Sequence, residues 1–343
     1  MRFEDLPTEL VLHVFRSCSS VADVLNLASA SHRFHRAVTP SQKLPILFHA
    51  AEAQYGPLDD AIQLVTHNQS QPAHLARRVP FSQALLEQLM AVGGVARQWE
   101  EIYPAKKWKA NFEDRRLLTD AERYRLRRAV YRLWLYDKAF HNRSFPRFSR
   151  LQRSVILERA ELLHNWPTGE LAEMEDARHV LREVLQNHIC PSNGTIQRKV
   201  RKRFPDVEPQ LLFNIHLNYP PPPSQYQQHF HTAHQITASN KYYTKYSMAA
   251  PHDLGAEGWG DEIPHYYLVE DMLKLDPGQI LWLRENAPLK GQVETFVRTL
   301  GEWFENNGET FGQTLDWVVA ERGGVVDELR EGIELNDEGV VRA

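Results

Sequence analysis

Three histidines, His229, His231 and His234, form an H-x-H-x-x-H cluster, and imidazoles this close have the chemistry to ligate zinc or copper. A closed zinc site also needs a fourth ligand and a defined turn, so ordinary loop histidines are the favoured reading and no metal is assigned. The two cysteines, Cys18 and Cys190, are far apart and suggest neither a disulfide framework nor a zinc framework. Carboxylates are abundant, but no pair stands out as an acid and its base. The sequence has no G-x-G-x-x-G, P-loop, G-x-S-x-G or H-E-x-x-H pattern. No catalytic residue and no cofactor is assigned, and the chain is read as non-catalytic. A helical enzyme whose site is assembled from distant residues has no positive sign in the sequence.

Two basic tracts suit phosphate or partner contact. The run Arg198-Lys-Val-Arg-Lys-Arg reads either as a nuclear-import signal or as an exposed helix face. Lys106-Lys-Trp-Lys mixes cations with an aromatic, as single-strand binders do. However, Trp99, Tyr103, Trp108 and Phe112 follow one another at spacings of 4, 5 and 4, which suits a helix burying its aromatic side. Trp259, between glycines, reads as a packing anchor.

Composition bounds the classes further. The chain has 343 residues, 42% hydrophobic and 24% charged, with mean hydropathy −0.49. It is long enough to bury a sizeable core and suits a small module plus a larger domain. No run approaches the ~18 apolar residues of a membrane helix, so no membrane partner is expected. The opening MRFEDLPTEL lacks the apolar core of a signal peptide, and a reducing compartment, cytosol or nucleus, is expected. The net charge of −4 hides an asymmetry. Arg97–Arg153 carries sixteen Lys+Arg against seven Asp+Glu; Asp253–Ala343 carries seven against twenty. Solvated helix faces are the plain reading. A nucleic-acid surface in the basic stretch is the sharper alternative, and a charged docking surface is a third.

The elements that must position these residues are helical. Thr119 and Glu122 fit a capping box, before Leu126, Val130 and Leu133 on one face and Arg125, Arg128 and Arg132 on another. Thr310 and Gln313 repeat the pattern. Helices are also predicted over 82–92, 155–164, from Pro167–Thr168 onward, and over 293–304. The clearest break is Pro220–Pro223, an extended spacer that cannot be helix interior, followed by a loop to Trp259. The expected parts are 1–40, 41–218, 219–262 and 263–343, in an all-α chain.

The first 40 residues are the most informative. Asp5 is placed to cap a helix, and Pro7 suits its first turn. Leu10, Val14 and Cys18 share one side of that helix, with Val11 and Phe15 beside them. Ser20 and Asp23 open a second helix carrying Val24, Leu25, Leu27 and Ala28. Ser31–Val38 makes a third around Phe34. So short a unit buries little surface alone, and it leaves Leu6, Leu10, Val14 and Leu25 as an apolar surface for another protein.

"DLPTELVLHVF" followed by "ADVLNLASASHRFHRAV" resembles an F-box. Leu6, Pro7, Glu9, Leu10, Val14, Asp23, Val24, Leu25, Leu27, Ala28, Phe34 and Arg36 stand at matching positions. Phe34 takes the place of a usual Trp, and Cys18 that of a usual Leu. The segments "YGPLDDAIQLVTHNQSQPAH", "KKWKANFEDRRLLTDAERYRLRRAVYRLWLYDKAFHN" and "CPSNGTIQRKVRKRFP" resemble the long helical region of filamentous-fungal F-box proteins. The resemblance implies a three-helix F-box and a larger irregular helical domain. It also implies docking on a Skp-type adaptor, and through it a cullin, with Leu6, Pro7, Glu9, Leu10, Val14, Phe15, Val24, Leu25, Leu27, Ala28 and Phe34 as contacts. A protein substrate is implied but not named. A nucleic-acid-binding or scaffolding helical protein that uses Arg97–Arg153 is the less favoured alternative.

Overall fold

A computed structural model describes residues 6–110, 112–191, 269–301, 303–304 and 307–342. Every regular element among them is helical, which makes the chain all-α. Asp5, the Arg198–Arg203 run, Pro220–Pro223, the histidine cluster and Trp259 lie outside the described residues.

The chain divides into two compact units. The first comprises Met1–Ala139, His164–Arg178 and Gly323–Ala343; the second comprises Phe140–Leu163 and His179–Arg322. The expected boundaries at 218 and 262 lie outside the described residues, and residues 1–40 share the first unit with the helices that follow them. That grouping has a physical reason. Helices α1 (Thr8–Ser17), α2 (Val21–Ala30) and α3 (His32–Ala37) are too short to bury their apolar sides on one another alone. Helix α4 (Pro40–Tyr55), with buried Ile46, Leu47, Ala50 and Ala51, packs against α1 and α2 and closes them from below.

Helices α5 (Leu58–Thr66) and α6 (Gln83–Lys107) continue the first unit, and α6 packs on both α4 and α5. Ser82 caps α6, its Oγ accepting the Leu85 N–H at 3.2 Å. This helix runs well past the predicted 82–92 and buries Trp99 and Tyr103. Trp108 is buried at its C-cap, but Phe112 is exposed, because the helix has ended and its spacing no longer fixes a face. Gly93 lets α6 approach α4 closely: a Cβ there would meet the Tyr55 ring at 2.4 Å. Helix α7 (Asp120–Phe140) begins with the predicted box: Glu122 N–H donates to Thr119 Oγ1 at 3.3 Å, and Thr119 N–H to Glu122 Oε2 at 2.7 Å.

Within the first unit one carboxylate joins three parts of the chain. Asp176, buried on α9 (Thr168–Val184), accepts the Tyr103 hydroxyl at 2.6 Å and Lys107 Nζ at 3.1 Å. It also accepts the Val340 N–H at 3.0 Å. Burial first, and the Asp176 charge second, push the Tyr103 phenol well above its ordinary range, so it stays a donor. Arg125 Nε donates to the Val340 carbonyl at 2.8 Å, and Lys107 Nζ to the Ile333 carbonyl at 2.8 Å. These bonds hold Ile333 and Val340 to α6, α7 and α9. Gly339 makes the approach feasible, with φ at +97° and a notional Cβ only 2.7 Å from Asp176 Oδ2.

The second unit holds α8 (Arg153–His164), α10 (Pro277–Asn286), α11 (Lys290–Leu300) and α12 (Phe311–Glu321). Asp276 and Gln279 form the capping box of α10, at 2.8 and 3.1 Å. The predicted Thr310–Gln313 box does not form. Thr310 Oγ1 lies 3.4 Å from His141 Nε2, and the Phe311 N–H donates to Glu309 Oε1 at 2.7 Å instead. Lys274 is buried, donating to the Asn307 carbonyl at 2.9 Å and to the Phe304 carbonyl.

Replacing Gly339 by Ala combines a left-handed backbone with a clash against a carboxylate that three donors hold in place. The expected loss is about 1–3 kcal/mol. Gly323→Ala, at φ +77° with nothing within 4 Å of its notional Cβ, meets only the backbone penalty and is expected to cost less. Thermal melts of the two variants check the order.

Candidate protein-docking surface

An α-helix ten residues long presents two usable sides, and α1 divides its apolar residues between them. Val11 and Phe15 are buried. Leu10 is 49% exposed, Leu6 and Val14 are half-buried, and Pro7 and Glu9 are exposed. On α2, Val21 and Val24 are buried, Leu25 is 44% exposed, and Leu27 and Ala28 are half-buried. On α3, Phe34 is buried. The motif residues thus sort into a frame and a surface. Phe15, Val24 and Phe34, expected as partner contacts, are buried among the helices here, where their apolar area stabilises the packing of α1–α3. The surface set is Leu6, Pro7, Glu9, Leu10, Val14, Leu25, Leu27 and Ala28.

Polar bonds fix this frame. Ser31 Oγ accepts the Phe34 N–H at 3.2 Å and caps α3. Gln54 Oε1, on α4, accepts the Val21 N–H at 2.9 Å, satisfying a free donor in the first turn of α2. Arg33 donates to the Leu6 carbonyl and ties the start of the motif to α3. Sequence reasoning missed Gln54 and Arg33, whose partners lie 33 and 27 residues away. Burial and the nearby Asp23 charge raise the Cys18 thiol pKa, so Cys18 is a weak nucleophile.

Three arginines of α7, Arg127, Arg128 and Arg132, are turned to protein acceptors rather than to water. Arg127 Nε donates to the Gly56 carbonyl at 2.7 Å, and its Nη1 to the Gln54 carbonyl at 3.3 Å and to Glu100 at 3.0 Å. Arg128 pairs with Glu170 at 2.9 Å and Glu173 at 2.7 Å. Arg132 pairs with Asp60 and Glu170, both at 2.6 Å, and its guanidinium lies 4.7 Å from the Trp166 ring centre. Arg342 adds a further contact to Glu173 at 3.0 Å. Burial raises the pKa of Asp60 and of Glu173, and the facing guanidiniums pull each back down. Such mutual pairing builds structure; it leaves these arginines turned to protein acceptors.

Among the described residues no group of His, Cys, Asp and Glu is placed to hold a metal ion, and no helix is long and apolar enough to cross a membrane. Comparison with protein-family models, with curated proteins and with solved structures finds no match.

Two predictions separate frame from surface and test the start of α7. Leu10→Ser with Leu25→Ser should leave the melting temperature nearly unchanged, whereas Phe34→Ala should cost about 3–5 kcal/mol, read by urea unfolding. At α7, hydrogen bonds from Arg116, at 2.6 Å to each oxygen, lead in holding Glu122 at about 2, below its ordinary 4.5. A lowered carboxyl pKa stabilises the fold above about 4.5 and loses that contribution as the pH falls toward 2. Glu122→Gln should therefore be less stable at neutral pH and converge on the parent between those values, measured as unfolding free energy against pH.

Proposed function

We propose that this chain is a non-catalytic docking protein of the F-box type. Helices α1–α3 bind a Skp-type adaptor, and through it a cullin, while the larger helical remainder presents a protein substrate for ubiquitination. The observation that carries this reading is the division of the motif. Leu10 and Leu25 stand half exposed at positions where the F-box pattern has apolar residues. Phe15, Val24 and Phe34 are buried and keep those positions in place. An apolar surface on short, packed helices gains about 25 cal/mol per Å² when a partner covers it. The contribution to ubiquitin transfer is proximity: holding a substrate beside the ligase raises the effective concentration of its lysines. The expected setting is the cytosol or the nucleus, without a membrane partner.

Nucleic-acid binding through Arg97–Arg153 is the competing reading, and its central arginines are engaged elsewhere. Arg127, Arg128 and Arg132 face carboxylates and backbone carbonyls.

The test is direct binding of the purified chain to a purified Skp-type adaptor by calorimetry. Leu10→Asp with Leu25→Asp should weaken capture by at least ~2 kcal/mol, the loss of hot-spot residues. Unchanged affinity in the folded double variant, or no binding by the parent chain, would sink the proposal.

A further inference from the structure

Residues 140–157, in the second unit, contain Arg143, Arg147, Arg150 and Arg153 and no acidic residue. The backbone here is held from inside. The buried Asn307 side-chain amide donates to the carbonyls of Phe140 at 3.2 Å, Asn142 at 3.1 Å and Phe145 at 2.7 Å. Arg159, also buried, donates to the Arg150 carbonyl at 2.8 Å. Ser149 bonds twice to the Pro146 carbonyl, through N–H at 2.9 Å and Oγ at 2.8 Å. The Phe140 and Phe145 rings meet edge to face at 5.4 Å.

On this fixed backbone Phe148 is 67% exposed, and Leu151 and Leu157 are exposed beside it in sequence. Arg143 and Arg153 are exposed too. A loop tied down by two buried side chains does not turn a phenylalanine outward for want of order. Phe148 and Leu151 have apolar area to bury, and Arg143 and Arg153 have charge to match. Aromatic residues and arginine are the types enriched where protein interfaces draw their energy. A pre-ordered loop also loses little conformational entropy on binding.

We infer that residues 143–157 form a docking surface for an acidic protein segment carrying apolar side chains. Arg143 and Arg153 attract and orient its carboxylates, while Phe148 and Leu151 receive its apolar groups. Single-stranded RNA is the weaker fit, since successive bases stack on several aromatic faces and Phe148 is the one large exposed aromatic among the described residues of 143–157. A lipid surface calls for a continuous apolar helix face, whereas arginines here alternate with the apolar residues. The inference concerns the second unit and goes beyond adaptor docking by α1–α3.

The test is fluorescence anisotropy of the full chain with a short labelled peptide in which Asp and Glu alternate with Leu and Trp. Saturable binding that weakens with added salt is expected. Phe148→Ser, and separately Arg143→Glu with Arg153→Glu, should each weaken it by about tenfold or more, with unchanged circular dichroism. A peptide of equal charge with Ser in place of Leu and Trp should likewise bind about tenfold more weakly. No saturable binding, or variants that bind as the parent does, overturns the proposal. So does tighter binding of labelled single-stranded RNA or of phosphatidylserine vesicles that the same substitutions abolish.

Discussion

A guanidinium removed from water must be given acceptors, because an unmatched buried charge costs several kcal/mol. Helix α7 carries Arg127, Arg128 and Arg132 into the first unit, and the rest of that unit is arranged to receive them. Arg127 takes the carbonyls of Gln54 and Gly56, and the Tyr131 hydroxyl takes that of Tyr55 at 2.7 Å. Those are the backbone acceptors left unpaired where α4 ends. Arg132 fixes α5 through Asp60, and with Arg128 it fixes α9 through Glu170 and Glu173. Since α4 is also the floor of α1 and α2, burial of charge on α7 settles where the outer helices stand.

This coupling gives the N-terminal helices a property that 40 residues would not have alone. Leu10 and Leu25 are presented on a support that does not depend on their own burial. A partner that covers them meets helices already ordered by Phe15, Val24, Phe34 and the Gln54 bond to Val21. Little ordering entropy is then lost on docking, which favours affinity from a small apolar area.

Local patterns were legible in the sequence where the bonds themselves are local. Thr119 and Glu122 sit three residues apart and meet each other, so the start of α7 was readable. Thr310 and Gln313 have the same spacing, yet Thr310 lies against His141, 169 residues away, and the pattern misleads. Spacing puts Arg125, Arg128 and Arg132 on one side of α7 and leaves out Arg127, and a side that points to carboxylates looks the same in sequence as one that points to water. Glu170 and Glu173 lie 38 to 45 residues from their arginines, and Asp60 lies 72 away. At the candidate surface, apolar spacing identified α1 and α2 but could not decide which of Leu10 and Phe15 faces inward. That choice rests on α4, whose position depends on α7.

The first unit is assembled from three separated stretches, and the last begins at Gly323. A ribosome extends the chain in order, so Tyr103, Lys107 and Asp176 emerge well before Val340, the remaining donor to that carboxylate. Until then Asp176 is short of one N–H, Arg125 lacks the Val340 carbonyl, and Glu173 lacks Arg342. The nascent unit therefore waits on the residues from Gly323 onward to close, and translation stalled before Gly323 would leave an open seam along α6, α7 and α9.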